Sequence, residues 1–209
     1  MSHAARGRHR GPPVGAGRAN GRTLPQRRAA RPRRRGTLHA MYRTVLVTLS
    51  DKGAAGERED TAADAVRAAL GAHAGAPFEE VGYELLPDER PRLRARLRLW
   101  CDGGDADLVL TIGGTGLGAR DRTPEATRDV LDREVPGLAE RMRAVGMQAT
   151  PKAALSRAVV GVRGGTMIVN LPGSAKGARE SLEAILDVLP HALDVLRGEG
   201  RGDPSAWHA

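Results

Sequence analysis

Leu108-Val109-Leu110 runs without a polar break into Thr111-Ile112-Gly113-Gly114-Thr115-Gly116, and Ala119-Arg120-Asp121-Arg122-Thr123-Pro124-Glu125 follows. A short apolar run closed by glycines reads as a buried strand, and Thr123-Pro124 reads as a helix start. Glycine has no Cβ and tolerates positive φ, so backbone amides in such a loop can approach a ligand closely. At the carboxyl end of a strand, opening onto a helix, the loop suits an anion such as phosphate. The alternative is a tight strand-to-helix turn with no ligand. The loop is not a Walker A loop, because no Lys-Ser/Thr follows its last glycine, and it lacks the dinucleotide-binding spacing.

The same alternation recurs along the chain. Thr44 to Leu49 reads as a buried strand, followed by a polar loop and a helix over 61–72 with Ala65, Val66, Ala69 and Leu70 on one stripe. Phe78 to Leu86 is a second strand, and a helix with Leu93, Leu97 and Trp100 on one face follows it. Asp107 to Ile112 is the third strand. Helices start at Thr123-Pro124 and Pro136, the latter with Leu138, Met142 and Val145 as its apolar face. Ala158 to Val162 and Thr166 to Asn170 read as a hairpin through Arg163-Gly164-Gly165. A long helical stretch follows Ser174, with Leu182, Ile185, Leu186 and Leu189 in register, and Pro190 kinks it or starts a new helix. The expected fold class is α/β: three layers, α/β/α, around a mostly parallel central sheet with a small β-hairpin. Its ligand site is expected where Ser50-Asp51, Pro87-Asp88, Gly113 to Gly116 and Asn170 to Gly173 converge at the carboxyl ends of the strands.

Charge divides the chain. Of 33 Lys and Arg, 11 are Arg within residues 1–40, which hold no Lys, Asp or Glu; the other 22 face 25 acidic residues, a net of −3. The Arg-, Gly- and Pro-rich leader has too few large apolar side chains to offset chain entropy and is expected to be disordered. It reads as a nucleic-acid-binding arm, a targeting peptide, or a dispensable extension with Met41 opening the domain. The last is preferred, because no aromatics interleave with the arginines, no amphipathic face is clear and no apolar h-region follows Arg27-Arg28. Nucleic acid is therefore not an expected partner. The expected organisation is a leader at 1–40, one catalytic domain at 41–198 and a flexible tail at 199–209. The lone cysteine, Cys101, excludes an internal disulfide and reads as a core or boundary thiol. No segment approaches a membrane span, so a reducing, cytoplasmic setting is expected.

Asp88 and Asp121 lie just beyond two different strand ends. Together they could share a hard cation such as Mg²⁺, which takes oxygen ligands and the phosphates of a substrate. Each also has a plainer reading, as a cap or turn aspartate before a helix. Arg120, Arg122, Arg157 and Lys176 could neutralise phosphate charge. Ser156 and Asn170 could hydrogen-bond a polar ring, or serve as a helix-end and a turn residue.

These residues resemble the molybdopterin adenylyltransferases, the Mog/MoaB-like group that includes gephyrin-like G domains of molybdenum-cofactor proteins. The resemblance rests on Ser50-Asp51-Lys52, Gly56 to Asp60, Pro87-Asp88-Glu89, Thr111 to Gly116, Arg120 to Thr127, Glu134 to Gly137, Leu155-Ser156-Arg157 and Asn170 to Ser174, in family order across about 43–197. It implies a molybdopterin-binding-like fold. It also implies Mg-dependent transfer of AMP from ATP to the terminal phosphate of molybdopterin, with release of pyrophosphate. Asp88 and Asp121 fall on the family's essential carboxylates, with Mg²⁺ as their cation. Ser50, Asp60, Gly113, Gly114, Thr115, Gly116, Arg120, Ser156, Asn170, Pro172, Gly173 and Lys176 fall on substrate- or nucleotide-binding positions. A homotrimer is implied, with a hexamer also known in the family, and transient contact with a molybdenum insertase. Ala62-Ala63, Gly146 and Ala175 depart from the family pattern, which bears on substrate affinity more than on reaction type. The alternatives are a non-catalytic molybdopterin-binding scaffold of the same pathway, the insertase itself, whose extra domains a chain this short lacks, and a nucleic-acid binder acting through the leader.

Overall fold

The structure, a computed structural model, describes residues 41–73 and 78–198; the expectations for the leader and the tail lie outside the described residues. The strands are β1 (Tyr42–Leu49), β2 (Phe78–Leu86), β3 (Leu108–Ile112), β4 (Arg133–Glu134), β5 (Val160–Arg163) and β6 (Thr166–Leu171). They form one sheet in the order β2-β1-β3-β6-β5-β4. The first four are mutually parallel, while β5 runs antiparallel to β6 and β4 antiparallel to β5. The β5–β6 hairpin turns at Gly164, whose φ of +57° only glycine adopts without strain.

Alternation of side chains along the strands assigns the two faces. Leu46, Leu108, Leu110, Met167 and Val169 pack on one side against α2 (Thr61–Ala72), α5 (Pro136–Ala149), α6 (Ala175–Glu183) and α7 (Leu189–Arg197). Val45, Val47, Val109 and Ile168 pack on the other against α3 (Arg90–Asp102) and α4 (Thr123–Arg128). Three layers around a mostly parallel sheet are therefore present, as the element order implies. With one Phe in the chain, the core is almost wholly aliphatic. Cys101 is one of its residues, and burial pushes its thiol up to about 12, so it is inert packing.

Of the two expected outcomes at Pro190 the structure takes the second: the stretch after Ser174 is two helices, with Pro190 in the first turn of α7, where its missing N–H leaves no bond unmade. Two elements differ from expectation. The polar loop after β1 opens with a single helical turn, α1 (Asp51–Ala54), capped by the Ser50 hydroxyl. The two-residue strand β4 edges the sheet.

At the amino-terminal edge of the sheet a buried carboxylate ties three elements together. Asp107 accepts from Nε and Nη2 of Arg43 at 3.0 Å each and from Nη2 of Arg197 at 2.9 Å. Burial alone would raise its pKa, but the two guanidinium groups hold it below the ordinary carboxylate range. A carboxyl group whose pKa is lowered by folding contributes stability that is present above its unfolded pKa and lost as pH falls through the folded value. The urea midpoint is accordingly expected to fall on acidification below about pH 4, and Asp107→Asn, less stable at neutral pH, is expected to lose less over the same interval.

Candidate functional site

The four parallel strand ends meet, as the topology requires. The Ser50 N–H donates to the Leu86 carbonyl at 2.9 Å, joining the ends of β1 and β2. The Gly113 N–H donates to the Leu171 carbonyl at 3.0 Å, joining β3 and β6. Gly113 has φ +107°, and a Cβ there would lie 2.5 Å from the Leu49 carbonyl oxygen. A Cβ on Gly114, φ +63°, would lie 2.4 Å from Thr123 Oγ1 and 3.5 Å from Asp88 Oδ1. These two glycines are required by close approach and by left-handed backbone together. Gly173 passes within van der Waals reach of Gly113, so the Leu-Pro-Gly turn flanks the same loop.

Among the described residues, none accepts a hydrogen bond from the amides of Gly114, Thr115 or Gly116. Three backbone donors thus lie free in one loop at the carboxyl edge of the sheet. Such a set binds an anion without any side chain.

Neither aspartate caps the helix after it. Glu89 occupies the N-cap of α3 and Arg122 that of α4, both without a side-chain cap bond. Asp121 instead turns back over the glycine loop, where its Oδ2 accepts the Gly118 N–H at 2.8 Å and crowds Gly116. Asp88 Oδ2 accepts the Asp51 N–H, and Asp51 Oδ1 accepts the Asp88 N–H, each at 3.0 Å. Asp51 also takes Arg120 in a bidentate pair at 2.9 and 2.6 Å. That pairing, with the Asp88 amide, lowers the pKa of Asp51. Asp88 moves the other way: burial raises it, and repulsion from Asp51 and Asp121 adds to the effect.

The site therefore concentrates carboxylate charge beside free amides. No group of three or more His, Cys, Asp or Glu among the described residues forms a ready cage for a metal ion. Mg²⁺ does not need one, because it commonly takes one or two carboxylates and completes its shell with water and substrate phosphates. Asp88 and Asp121 fit that mode, since each is the neighbour whose charge a cation would offset.

The remaining expected residues divide. Ser50 caps α1 and Asp60 caps α2. The second oxygen of Asp60 accepts the Tyr83 hydroxyl at 2.8 Å. Lys176 is exposed in the first turn of α6, beside Glu180. Asn170 is fully buried: its Nδ2 donates to Thr111 and Thr127 at 2.8 and 2.9 Å, and its Oδ1 accepts the Val159 N–H at 3.2 Å. Its carboxamide is spent within the protein. Ser156 is half-buried and lines an open groove of about 380 Å³ with Arg128, Arg143, Arg157 and Pro136. Asp51, expected at the strand end where the site converges but given no role of its own there, pairs with both Asp88 and Arg120. Of the positions that depart from the family pattern, 62, 63 and 146 are closely packed. Ala62 and Ala63 are buried core residues, a Cβ on Gly146 would lie 2.9 Å from that of Ala153, and Ala175 simply follows the Ser174 cap.

Residues 45–191 match the model of the family described as "Probable molybdopterin binding domain". A Helicobacter pylori protein named molybdopterin adenylyltransferase is 39% identical over 153 residues, spanning 73% of this chain and 86% of the relative. The Escherichia coli K12 protein of the same name is 40% identical over 168 residues, 75% of this chain and 86% of its own. The crystal structure of a molybdopterin biosynthesis enzyme, MoaB, from Thermus thermophilus is 63% identical, with a TM-score of 0.71, covering 76% of this chain and 98% of that one.

Proposed function

The chain belongs to the molybdopterin-binding-domain family, and from that premise we propose that it is a molybdopterin adenylyltransferase of molybdenum cofactor biosynthesis. The observation that carries the proposal is the pairing of free loop amides at Gly114–Gly116 with Asp88 and Asp121 on one edge of the sheet. The substrates are ATP and molybdopterin. An oxygen of the terminal molybdopterin phosphate attacks the α-phosphorus of ATP. The bond from that phosphorus to the β-phosphate oxygen breaks, and pyrophosphate leaves.

The nucleophile is ionised at neutral pH, so the reaction asks for charge neutralisation and alignment rather than a strong base. The amides of Gly114, Thr115 and Gly116 receive phosphate oxygens, and Arg120 supplies a guanidinium at the mouth. Asp88 and Asp121 would hold Mg²⁺, which when bound screens the approaching phosphates from one another. Ser50 and Asp60 act by capping the helices after β1, and Asn170, Pro172 and Gly173 by shaping the end of β6 and the turn after it, while Ser156 and Lys176 are exposed enough to meet substrate directly. The catalytic domain is residues 41–198, and the protein works in the cytoplasm. No helix among the described residues is long and apolar enough to cross a membrane. Exposed Val145, Met147 and Leu155 lie on α5 and the short helix after it, and support assembly into a homotrimer or hexamer. Contact with a molybdenum insertase would hand on the adenylylated product.

The test is pyrophosphate release from Mg-ATP with and without molybdopterin. Release that depends on molybdopterin is the expected result. Binding of molybdopterin by folded protein with no release would leave the scaffold reading in its place.

A further inference from the structure

The loop that carries Asp121 makes few bonds of its own. Gly113 is tied to Leu171, and the Thr123 N–H donates to the Gly114 carbonyl at 3.2 Å. Between those points lie the local Gly118–Asp121 turn, the local bond from Arg122 Nε to the Ala119 carbonyl at 3.1 Å, and the exposed Arg120–Asp51 pair, which solvent screens. One residue from a distant part of the chain reaches across the whole segment. The Arg157 N–H donates to the Thr115 carbonyl at 2.9 Å. Its Nε donates to the Gly116 carbonyl at 2.8 Å and its Nη2 to the Asp121 carbonyl at 2.6 Å. Its Nη1 donates to Glu125 Oε1 in the first turn of α4.

We propose that Arg157 is a positioning residue for the reaction, fixing the Thr115–Asp121 loop so that its free amides and the Asp121 carboxylate keep one geometry. The proposal rests on the adenylyl-transfer reading. Sequence alone offers Arg157 as a phosphate partner, but all three kinds of guanidinium nitrogen are turned onto protein acceptors. The side chain is about one-third exposed, more sheltered than Arg120 at 62%. Glu125 completes the arrangement from the far side, and its Oε2 is buried with no partner among the described residues. Burial pushes the Glu125 pKa up, and the Arg157 guanidinium brings it below the ordinary value, so the carboxylate charge is held by this pairing. A lysine cannot replace this fork, because one ammonium cannot satisfy three acceptors lying in fixed, divergent directions. Arg157 also lines the groove beside Ser156, so it joins that groove to the carboxylate loop.

Arg157→Lys and Arg157→Gln are expected to lower kcat by about 10- to 50-fold, because small misplacements of reacting groups carry penalties of that order. KM for ATP is expected to change much less. Amide hydrogen exchange of residues 114–122 should accelerate while β3 and β6 keep wild-type protection. Added guanidinium ion should restore part of the kcat of Arg157→Ala, and Glu125→Gln should give a weaker version of the same loop exchange. Wild-type kcat and loop exchange in Arg157→Lys would overturn the proposal, as would exchange accelerated equally throughout the sheet. Wild-type protein that transfers no AMP would overturn the functional reading instead, and loop exchange in the variants would still decide whether Arg157 holds the loop.

Discussion

Asp121→Asn and Asp88→Asn are each expected to lower molybdopterin-dependent pyrophosphate release by about 10²- to 10³-fold, the scale of removing one preorganised electrostatic group from a phosphoryl- or acyl-transfer site. Both substitutions preserve the hydrogen bonds seen. An asparagine oxygen at position 121 can still accept the Gly118 N–H, and one at position 88 can still accept the Asp51 N–H. What disappears is charge, so the loss belongs to chemistry and cation binding rather than to loop structure. Stability gives an independent control at Asp88. Folding raises its pKa, through burial first and then the charges of Asp51 and Asp121. A carboxyl group raised by folding contributes stability that is full below its unfolded pKa and is lost as pH rises through the folded value. At neutral pH the ionised Asp88 is therefore a burden on the unliganded fold. Asp88→Asn is expected to melt at or above the wild-type temperature at pH 7, with the difference shrinking towards about pH 4. A variant that is inactive and melts clearly lower has lost structure, and the catalytic assignment of Asp88 would then have no support from it.

The placement of both aspartates at the carboxyl edge of the sheet was legible in the sequence. Asp88 and Asp121 follow strand ends directly, and in a parallel sheet every strand end faces the same edge. Position along the chain was enough to bring them together. The same logic located Gly113 to Gly116 and the Leu-Pro-Gly turn. It did not say which side chains would point out. Arg157 and Arg120 are equally basic, yet one spends its guanidinium on carbonyls and Glu125 and the other sits at the mouth against Asp51. Charge records capacity for a bond and not the partner that meets it. Pro190 signalled the start of α7, but the end of α6 at Glu183 was masked: Leu182, Ile185, Leu186 and Leu189 keep helical spacing across the break, because all of them are buried. The strand β4 is too short to carry any period.

Asn170 is where the residue type points furthest from its place, and Asn170→Ala is expected to destabilise the domain by about 3–5 kcal/mol. The carboxamide is fully buried between β3, α4 and the start of β5, and it makes three bonds there. Alanine would leave the Val159 N–H facing no side-chain acceptor and deprive the Thr111 and Thr127 hydroxyls of their shared donor, and it would open a small cavity among them. Unpaired buried polar groups cost more than the net worth of the bonds they lose. For a domain of this size the melting temperature should fall by roughly 10 °C, and the urea midpoint should fall with it. An asparagine whose main work was to hold a substrate ring would behave otherwise. Its replacement would raise KM for molybdopterin and leave the melting temperature near that of the wild type. The two outcomes separate a strut under the glycine loop from a contact within the site. The burial and bonding of the carboxamide favour the strut: Asn170 aligns Thr111 at the end of β3 with Thr127 in α4, the two elements between which the loop is strung.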